Sequence, residues 1–195
     1  MTPTRPSNLF ANFRLYIDIA LFRRGPEDLP VSPALLLVTI VASVLLALLP
    51  SWLPTPDSAK PIGNVVGMVL VEAALEVTWY WALMRLAGRP ERFLQTTSAI
   101  FGVQVVVLAI AFIVLALAML TQGPSAPLPA LAVFVVFGLR IWLLVLNVRI
   151  VQAATQWSGA KAVVSVLAQA LLIFVVLMVL FPDAVKMFVP EPAAT

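Results

Sequence analysis

The stretch GMVLVEAALEVTWYW, residues 67 to 81, is apolar enough to cross a lipid bilayer, yet it contains two carboxylates, Glu72 and Glu76. The two glutamates are four residues apart, so a helix places them on the same side, one turn from each other. A charged side chain at the centre of a bilayer costs about 2.5 to 3.5 kcal/mol on insertion scales. The stretch therefore predicts a membrane span whose glutamates need polar partners inside the protein.

The rest of the chain has the composition of a membrane protein. Of its 195 residues, 62% are hydrophobic and 11% are charged, whereas soluble domains carry about 25% charged residues. The mean hydropathy is +1.06. The sequence contains no cysteine and no histidine, which excludes disulfides, thiolate metal sites and histidine-based catalysis.

Five apolar runs are each long enough to span a bilayer, which takes about 20 residues, and proline or glycine marks the breaks between them. We predict an all-α integral membrane bundle of five transmembrane helices with an N-terminal interfacial amphipathic helix. The predicted spans are at about 33–53, 62–87, 98–121, 128–152 and 159–182. The predicted domains are a cytoplasmic N-terminal segment (1–30), the five-span transmembrane domain (31–182) and a flexible C-terminal tail (183–195).

Lysine and arginine in the short connections predict the orientation, because these residues are retained on the cytoplasmic side. With the N-terminus inside, nine cationic side chains lie on the cytoplasmic side and two lie outside. We therefore expect a cytoplasmic N-terminus and a periplasmic C-terminus in a bacterial inner membrane. Five of these cations form a predicted cytoplasmic basic face that sets topology, meets anionic lipid or binds a partner: Arg23, Arg24, Arg85, Arg89 and Arg92.

The segment NLFANFRLYIDIALFRR, residues 8 to 24, predicts a helix before the first span. One side of this helix is apolar, with Leu9, Phe13, Tyr16, Ile17 and Ala20, and the other is polar, with Asn8, Asn12, Arg14 and Asp18. Such a helix either lies in the membrane interface or packs on its own membrane domain, and the pattern leaves both open. Gly25 is expected to end it.

Arg140 falls inside the fourth predicted span, at a depth between the two glutamates. Because three unrelated charges there would be costly, we predict that the Arg140 guanidinium pairs with both carboxylates. Two carboxylates against one guanidinium leave a charge of −1, so one glutamate is expected to carry a proton. Further polar side chains at compatible depths complete the predicted intramembrane polar cluster: Glu72, Glu76, Gln104, Arg140, Asn147, Ser165 and Gln169.

Three interpretations of this cluster stay open: hydrogen bonds that hold helices together, a proton or ion path, and a ligand pocket. The sequence contains no phosphate-binding loop or dinucleotide fingerprint. Without histidine and without aspartate in any span, rhomboid-type, CAAX-type and presenilin-type proteolytic sites cannot be assembled. We expect a non-enzymatic protein with no cofactor, no metal and no nucleic-acid partner.

The five spans, the cytoplasmic N-terminal segment and the outward C-terminus resemble the Yip1-domain family of small multi-pass membrane proteins. The strings RRGPEDLPVSPALL (23–36) and GRPERFLQTTSAIFG (88–102) are similar to cytoplasmic segments of small inner-membrane proteins of proteobacteria. The chain lacks the D-L-Y-G-P motif of the eukaryotic Yip1 members, and no catalytic residue carries over. The resemblance implies a membrane-embedded interaction protein.

We therefore expect a scaffold or assembly partner in the lipid bilayer, binding another membrane protein or a second copy of the chain. The alternative is a small proton-coupled transporter or channel that uses Glu72, Glu76 and Arg140. The small-molecule substrate of such a transporter is unknown.

Overall fold

The structure is a computed structural model that describes residues 9–52, 62–122 and 130–182. Its helices are α1 (Leu9–Ala20), α2 (Pro33–Leu48), α3 (Ile62–Leu86), α4 (Phe93–Gln122), α5 (Ala130–Thr155) and α6 (Gly159–Leu180). Within these ranges there is no strand, and five helices, α2 to α6, are long and apolar enough to cross a membrane. The predicted all-α bundle with five spans is confirmed. The predicted C-terminal tail, residues 183–195, lies outside the described residues.

Local sequence explains most helix boundaries. α2 begins at Pro33, and the preceding Ser32 caps it by accepting a hydrogen bond on Oγ from Leu35 N at 3.3 Å. α6 begins in a similar way, with Ser158 Oγ accepting from Lys161 N at 3.5 Å. α3 is closed by Gly88, whose φ of +70° is the left-handed conformation that glycine adopts without strain.

The end of α1 differs from the sequence prediction. Phe22, not Gly25, turns the chain, with a φ of 58°, while Gly25 is in extended backbone. The turn is closed by Phe22 N donating to Ile19 O at 3.0 Å and Arg23 N donating to Asp18 O at 2.8 Å. This conformation costs a residue other than glycine about 1 to 2 kcal/mol. The Phe22 ring packs edge-on against Trp142 of α5, with 4.9 Å between ring centroids, which helps offset that cost.

α1 packs against α4 of its own membrane domain. Tyr16, Ile19 and Ala20 are buried in this contact, and the Tyr16 ring lies on Gly102, where a methyl group would overlap it. The predicted apolar side is therefore rotated, because Ile19 is buried whereas Phe13 and Ile17 are exposed. Packing against the bundle therefore determines which side of α1 is buried, and Phe13 and Ile17 stay exposed.

α4 begins at Phe93, five residues before the predicted span. Thr96 and Thr97, which precede the predicted span, are inside the helix. They and Ser98 are fully buried, and Thr96 Oγ1 donates to Met84 Sδ at 3.7 Å. Gln95 Nε2 donates to Leu29 O at 2.8 Å, in the chain before α2. The earlier start moves Gln104 to about 16 Å from the beginning of its helix, close to the middle of the membrane.

The buried apolar core is concentrated in the half of the bundle that adjoins α1. It contains the last turns of α3, the first turns of α4 and α6, and the second half of α5, including Tyr80, Ile100, Leu146 and Val166. Few side chains are buried in the opposite half. The helices are thus tightly packed near α1 and less so beyond the middle of the membrane, where a cleft begins.

Candidate functional site: an intramembrane polar cleft

Four polar side chains from four helices lie at nearly the same depth, and we call them the polar layer: Ser43, Glu76, Gln104 and Gln169. Each is ten or eleven residues from the helix end near α1, which is about 15 to 16 Å along the axis. The hydrocarbon core of a bilayer is about 30 Å thick. The polar layer therefore lies near the centre of the membrane.

Glu76 of α3 is buried and is bonded to Gln104 of α4. Gln104 Nε2 donates to both Glu76 carboxylate oxygens, at 2.8 Å each, and Gln104 Oε1 accepts from Ser43 Oγ of α2 at 3.0 Å. A buried polar group without such a partner costs about 1 to 3 kcal/mol, and a charged one costs more. One amide side chain thus satisfies a carboxylate and a hydroxyl and joins three spans.

A second contact in this region joins α3 to α6. The Tyr80 hydroxyl, which is fully buried, donates to Gln169 Oε1 at 2.7 Å. Sequence analysis placed Gln169 in the polar cluster but included neither Tyr80 nor Ser43. The sequence does contain a pattern that indicates both residues. Tyr80 follows Glu76 by four residues and Ser43 follows Thr39 by four, so each pair of polar residues lies on one helix face.

A cleft of about 350 Å³ opens beside the polar layer, between α3, α5 and α6. We call it the polar cleft. Six of the seven predicted cluster residues line it: Glu72, Glu76, Gln104, Arg140, Asn147 and Gln169. Ser165 is buried but does not line the cleft. A smaller cavity of about 60 Å³, lined in part by Ser43 and Ala47 of α2, shares the two glutamates, Gln104 and Arg140 with the polar cleft.

Arg140 does not form the predicted double ion pair. Among the described residues it makes no salt bridge and no hydrogen bond, and its side chain is exposed in the polar cleft. The prediction rested on similar depth along the membrane, and Arg140 and Glu72 each lie ten residues from the far ends of their helices. Depth alone does not bring the side chains together, because α5 packs mainly on α4 and α6 and the cleft separates it from α3.

The polar cleft also contains groups whose hydrogen-bonding capacity is unused. In the part of the chain that the structure describes, Asn147, which lines the cleft, has its Oδ1 buried without a partner, and outside the cleft Ser165 Oγ is also buried without one. Glu72 makes no hydrogen bond with any described residue. The described residues include no group of three or more acidic, histidine or cysteine side chains that would hold a metal ion. The cleft is chemically suited to bind a polar or charged group that enters from the membrane.

The predicted basic face lies at the α1 end of the bundle, and parts of it are engaged within the chain. Arg89 donates to Gln156, and Arg92 Nη1 donates to Ala153 O at 3.1 Å, so both tie the α3–α4 turn to the end of α5. The Arg85 guanidinium lies 4.2 Å from the centroid of the Trp81 ring. Arg24 Nε is 3.6 Å from Asp18 Oδ2, and Arg23 beside it is exposed.

Comparison of the chain with protein-family models, with curated proteins and with solved structures found no match. The polar cleft and the charges around it are therefore the features from which function is inferred.

Proposed function

We propose that the protein is a non-enzymatic scaffold or assembly partner in a bacterial inner membrane, whose polar cleft binds a transmembrane helix of a partner protein. The observation that carries this proposal is Arg140, an exposed cation near mid-membrane with no ion pair among the described residues. Kinship with the Yip1-domain proteins is part of the same proposal and agrees with an interaction role.

The chemistry of the cleft supports a partner that carries a carboxylate. Charged residues within membrane spans face the protein interior and pair with one another, and a guanidinium binds a carboxylate through two parallel hydrogen bonds. Glu76 is already bonded to Gln104, so it is less available to Arg140. Glu72 lines the same cleft but makes no salt bridge with Arg140. An Asp or Glu on a partner helix would complete the coordination of Arg140, and Asn147 lines the same cleft to receive further polar contacts.

The hydrogen bonds of the polar layer favour a static scaffold over a protein whose helices move. The hydrogen bonds of Gln104 and Tyr80 connect α2, α3, α4 and α6 near mid-membrane. Such bonds between membrane helices contribute about 0.6 kcal/mol each on average, and here the Tyr80 bond joins α3 to α6, two of the helices that line the cleft. A preformed cleft binds a partner with less ordering cost.

Crosslinking from inside the cleft tests the proposal. A photoreactive amino acid at Leu144, which lines the cleft, is expected to form one discrete protein adduct in native membranes. Phe134, on the same helix but 73% exposed and outside the cleft, is the matched control and should label lipid only. Arg140→Met should abolish the Leu144 adduct, and Arg140→Lys should retain part of it. An adduct with a second copy of the chain would make the partner a homo-oligomer, and a Leu144 adduct unaffected by Arg140→Met would contradict the proposal.

A second candidate function is a small proton-coupled transporter or channel. It is favoured by Glu72, which has no hydrogen bond among the described residues and faces both the polar cleft and the smaller cavity beside it. Intramembrane carboxylates of this kind act as proton relays. In liposomes, pH-driven flux through the wild type that disappears in Glu72→Gln would favour this candidate over the scaffold. Equal flux in the two proteins would exclude it.

A further inference from the structure

We propose that a second cavity, at the α1 end of the bundle, binds the phosphate of an anionic phospholipid between Arg24 and Arg149. The cavity has a volume of about 290 Å³ and lies between the turn after α1 and the last turns of α5. No residue lines both this cavity and the polar cleft. The two sites are therefore independent, and the proposal goes beyond a scaffold function.

The charges that line this cavity are both positive. Arg24 and Arg149 provide them, and the amide of Gln152 adds a possible hydrogen-bond donor. Three carboxylates lie near the cavity without lining it. Asp18 faces Arg24 Nε at 3.6 Å, Asp28 accepts from Gly25 N at 3.3 Å, and the Glu27 carboxylate lies beside Gly25. The contact of Arg24 with Asp18 is through Nε, and the terminal nitrogens of Arg24 donate no hydrogen bond to any described residue, so they are available for a ligand.

The walls of the cavity position Arg149. Its guanidinium carbon lies 5.8 Å from the centroid of the Phe22 ring, and that ring packs edge-on against Trp142. Arg149 makes no salt bridge or side-chain hydrogen bond with any described residue. Ile19 and Ile150, both buried, also line the cavity. Two guanidinium groups above an apolar base suit a phosphate, because each presents a planar fork of donors to its oxygens.

The position of the cavity favours a lipid over a free phosphate ion. Arg149 is six residues before the end of α5 at Thr155, about 9 Å along the axis, and a long arginine side chain near a helix end extends toward the headgroups. Phe13, Ile17 and Leu21 are exposed at four-residue intervals along α1 and its end, and they present apolar surface for acyl chains. The distribution of lysine and arginine predicts that this end faces the cytoplasm, where the leaflet carries anionic lipid.

Lipid titration of the purified full chain in a neutral detergent tests this site. By native mass spectrometry, phosphatidylglycerol is expected to bind more tightly than phosphatidylcholine. Arg149→Gln and Arg24→Gln should each weaken phosphatidylglycerol binding by about tenfold or more, as expected for loss of a hydrogen bond to a charged group. Arg149→Lys should retain part of the affinity. The control is Arg85→Gln, which removes the same charge at the same end of the bundle but lies outside the cavity, and it should change little.

Several outcomes would overturn the proposal. An equal loss in Arg85→Gln would mean general attraction to a basic surface. Both lipids carry a phosphodiester and differ in net headgroup charge, so equal binding of the two would show that the cavity does not select an anionic lipid. Displacement of the lipid by inorganic phosphate at similar concentration would assign the site to a free anion instead. Unfolding midpoints for each variant separate loss of binding from loss of fold, and Arg24→Gln decides the question if Arg149→Gln does not fold.

Discussion

Gln104 contacts two other spans through a single amide group. Its Nε2 is bonded to both oxygens of Glu76, and its Oε1 is bonded to Ser43. The Tyr80 hydroxyl makes a simpler contact with Gln169, one donor to one acceptor. A residue that donates to a buried carboxylate should contribute more to the stability of the protein than one that donates to a neutral amide, because charge-assisted hydrogen bonds are stronger.

Replacing Gln104 by leucine should therefore destabilise the protein more than removing the Tyr80 hydroxyl. Gln104→Leu leaves Glu76 buried without its donor, and we expect a loss of about 1 to 3 kcal/mol. Tyr80→Phe should cost about 0.6 kcal/mol, the average for such bonds between membrane helices. Unfolding of the purified proteins by denaturing detergent, followed by circular dichroism, measures both.

The double variant Gln104→Leu/Glu76→Leu is the control for this prediction. It removes both partners, so no carboxylate is left without a donor, and it should be more stable than Gln104→Leu alone. A Gln104→Leu protein as stable as the wild type would show that the contact does not hold α3 to α4.

At the scale of elements, α1 is held to the bundle by a close approach at one glycine. The Tyr16 ring occupies the space beside Gly102 of α4, and the ring of Phe22 contacts Trp142 of α5. Burial raises the pKa of the Tyr16 hydroxyl, which has no hydrogen-bond partner among the described residues. The hydroxyl therefore stays neutral, and the docking of α1 rests on ring packing.

Gly102→Ala is expected to loosen α1. The added methyl group overlaps the Tyr16 ring, and overpacking of this kind costs about 1 to 3 kcal/mol. Hydrogen exchange of the α1 amides should accelerate in Gly102→Ala. Gly138→Ala is the matched control: Gly138 also lies in a helix, with nothing within 4 Å of its added methyl group, and alanine there should leave exchange unchanged. Tyr16→Phe keeps the ring and should not loosen α1, and faster exchange in that variant would contradict a docking based on packing.

At the scale of the whole molecule, the arginines at the α1 end predict which side of the membrane that end faces. Cysteine labelling tests this directly, because the chain contains no cysteine of its own. Glu91→Cys and Thr121→Cys place single thiols at exposed positions at opposite ends of α4. In intact cells with a permeable outer membrane, an impermeant maleimide should label Thr121→Cys and not Glu91→Cys. In inverted inner-membrane vesicles the pattern should reverse, and the opposite result in both preparations would invert the predicted topology.

The sequence alone determined the number of spans and their approximate limits, and it predicted the depths of the charged residues. These follow from hydrophobic run length and from a fixed rise per residue, which are local properties of a chain in a bilayer. It also indicated Glu76, Gln104 and Gln169 as buried polar residues. It did not show that Gln104 would bond to Glu76, since that depended on α4 starting at Phe93.

Only the tertiary structure decided which side chains meet. Helix neighbours and helix rotation are set by packing over the whole bundle, and depth does not specify them. α5 packs beside α4 and α6, so Arg140 faces a cleft and is not bonded to the glutamates. For the same reason Ile19 of α1 is buried, whereas Ile17 of the same helix is exposed. The limits of each helix depend on the local sequence, whereas the contacts between helices depend on how all the helices of the bundle pack together.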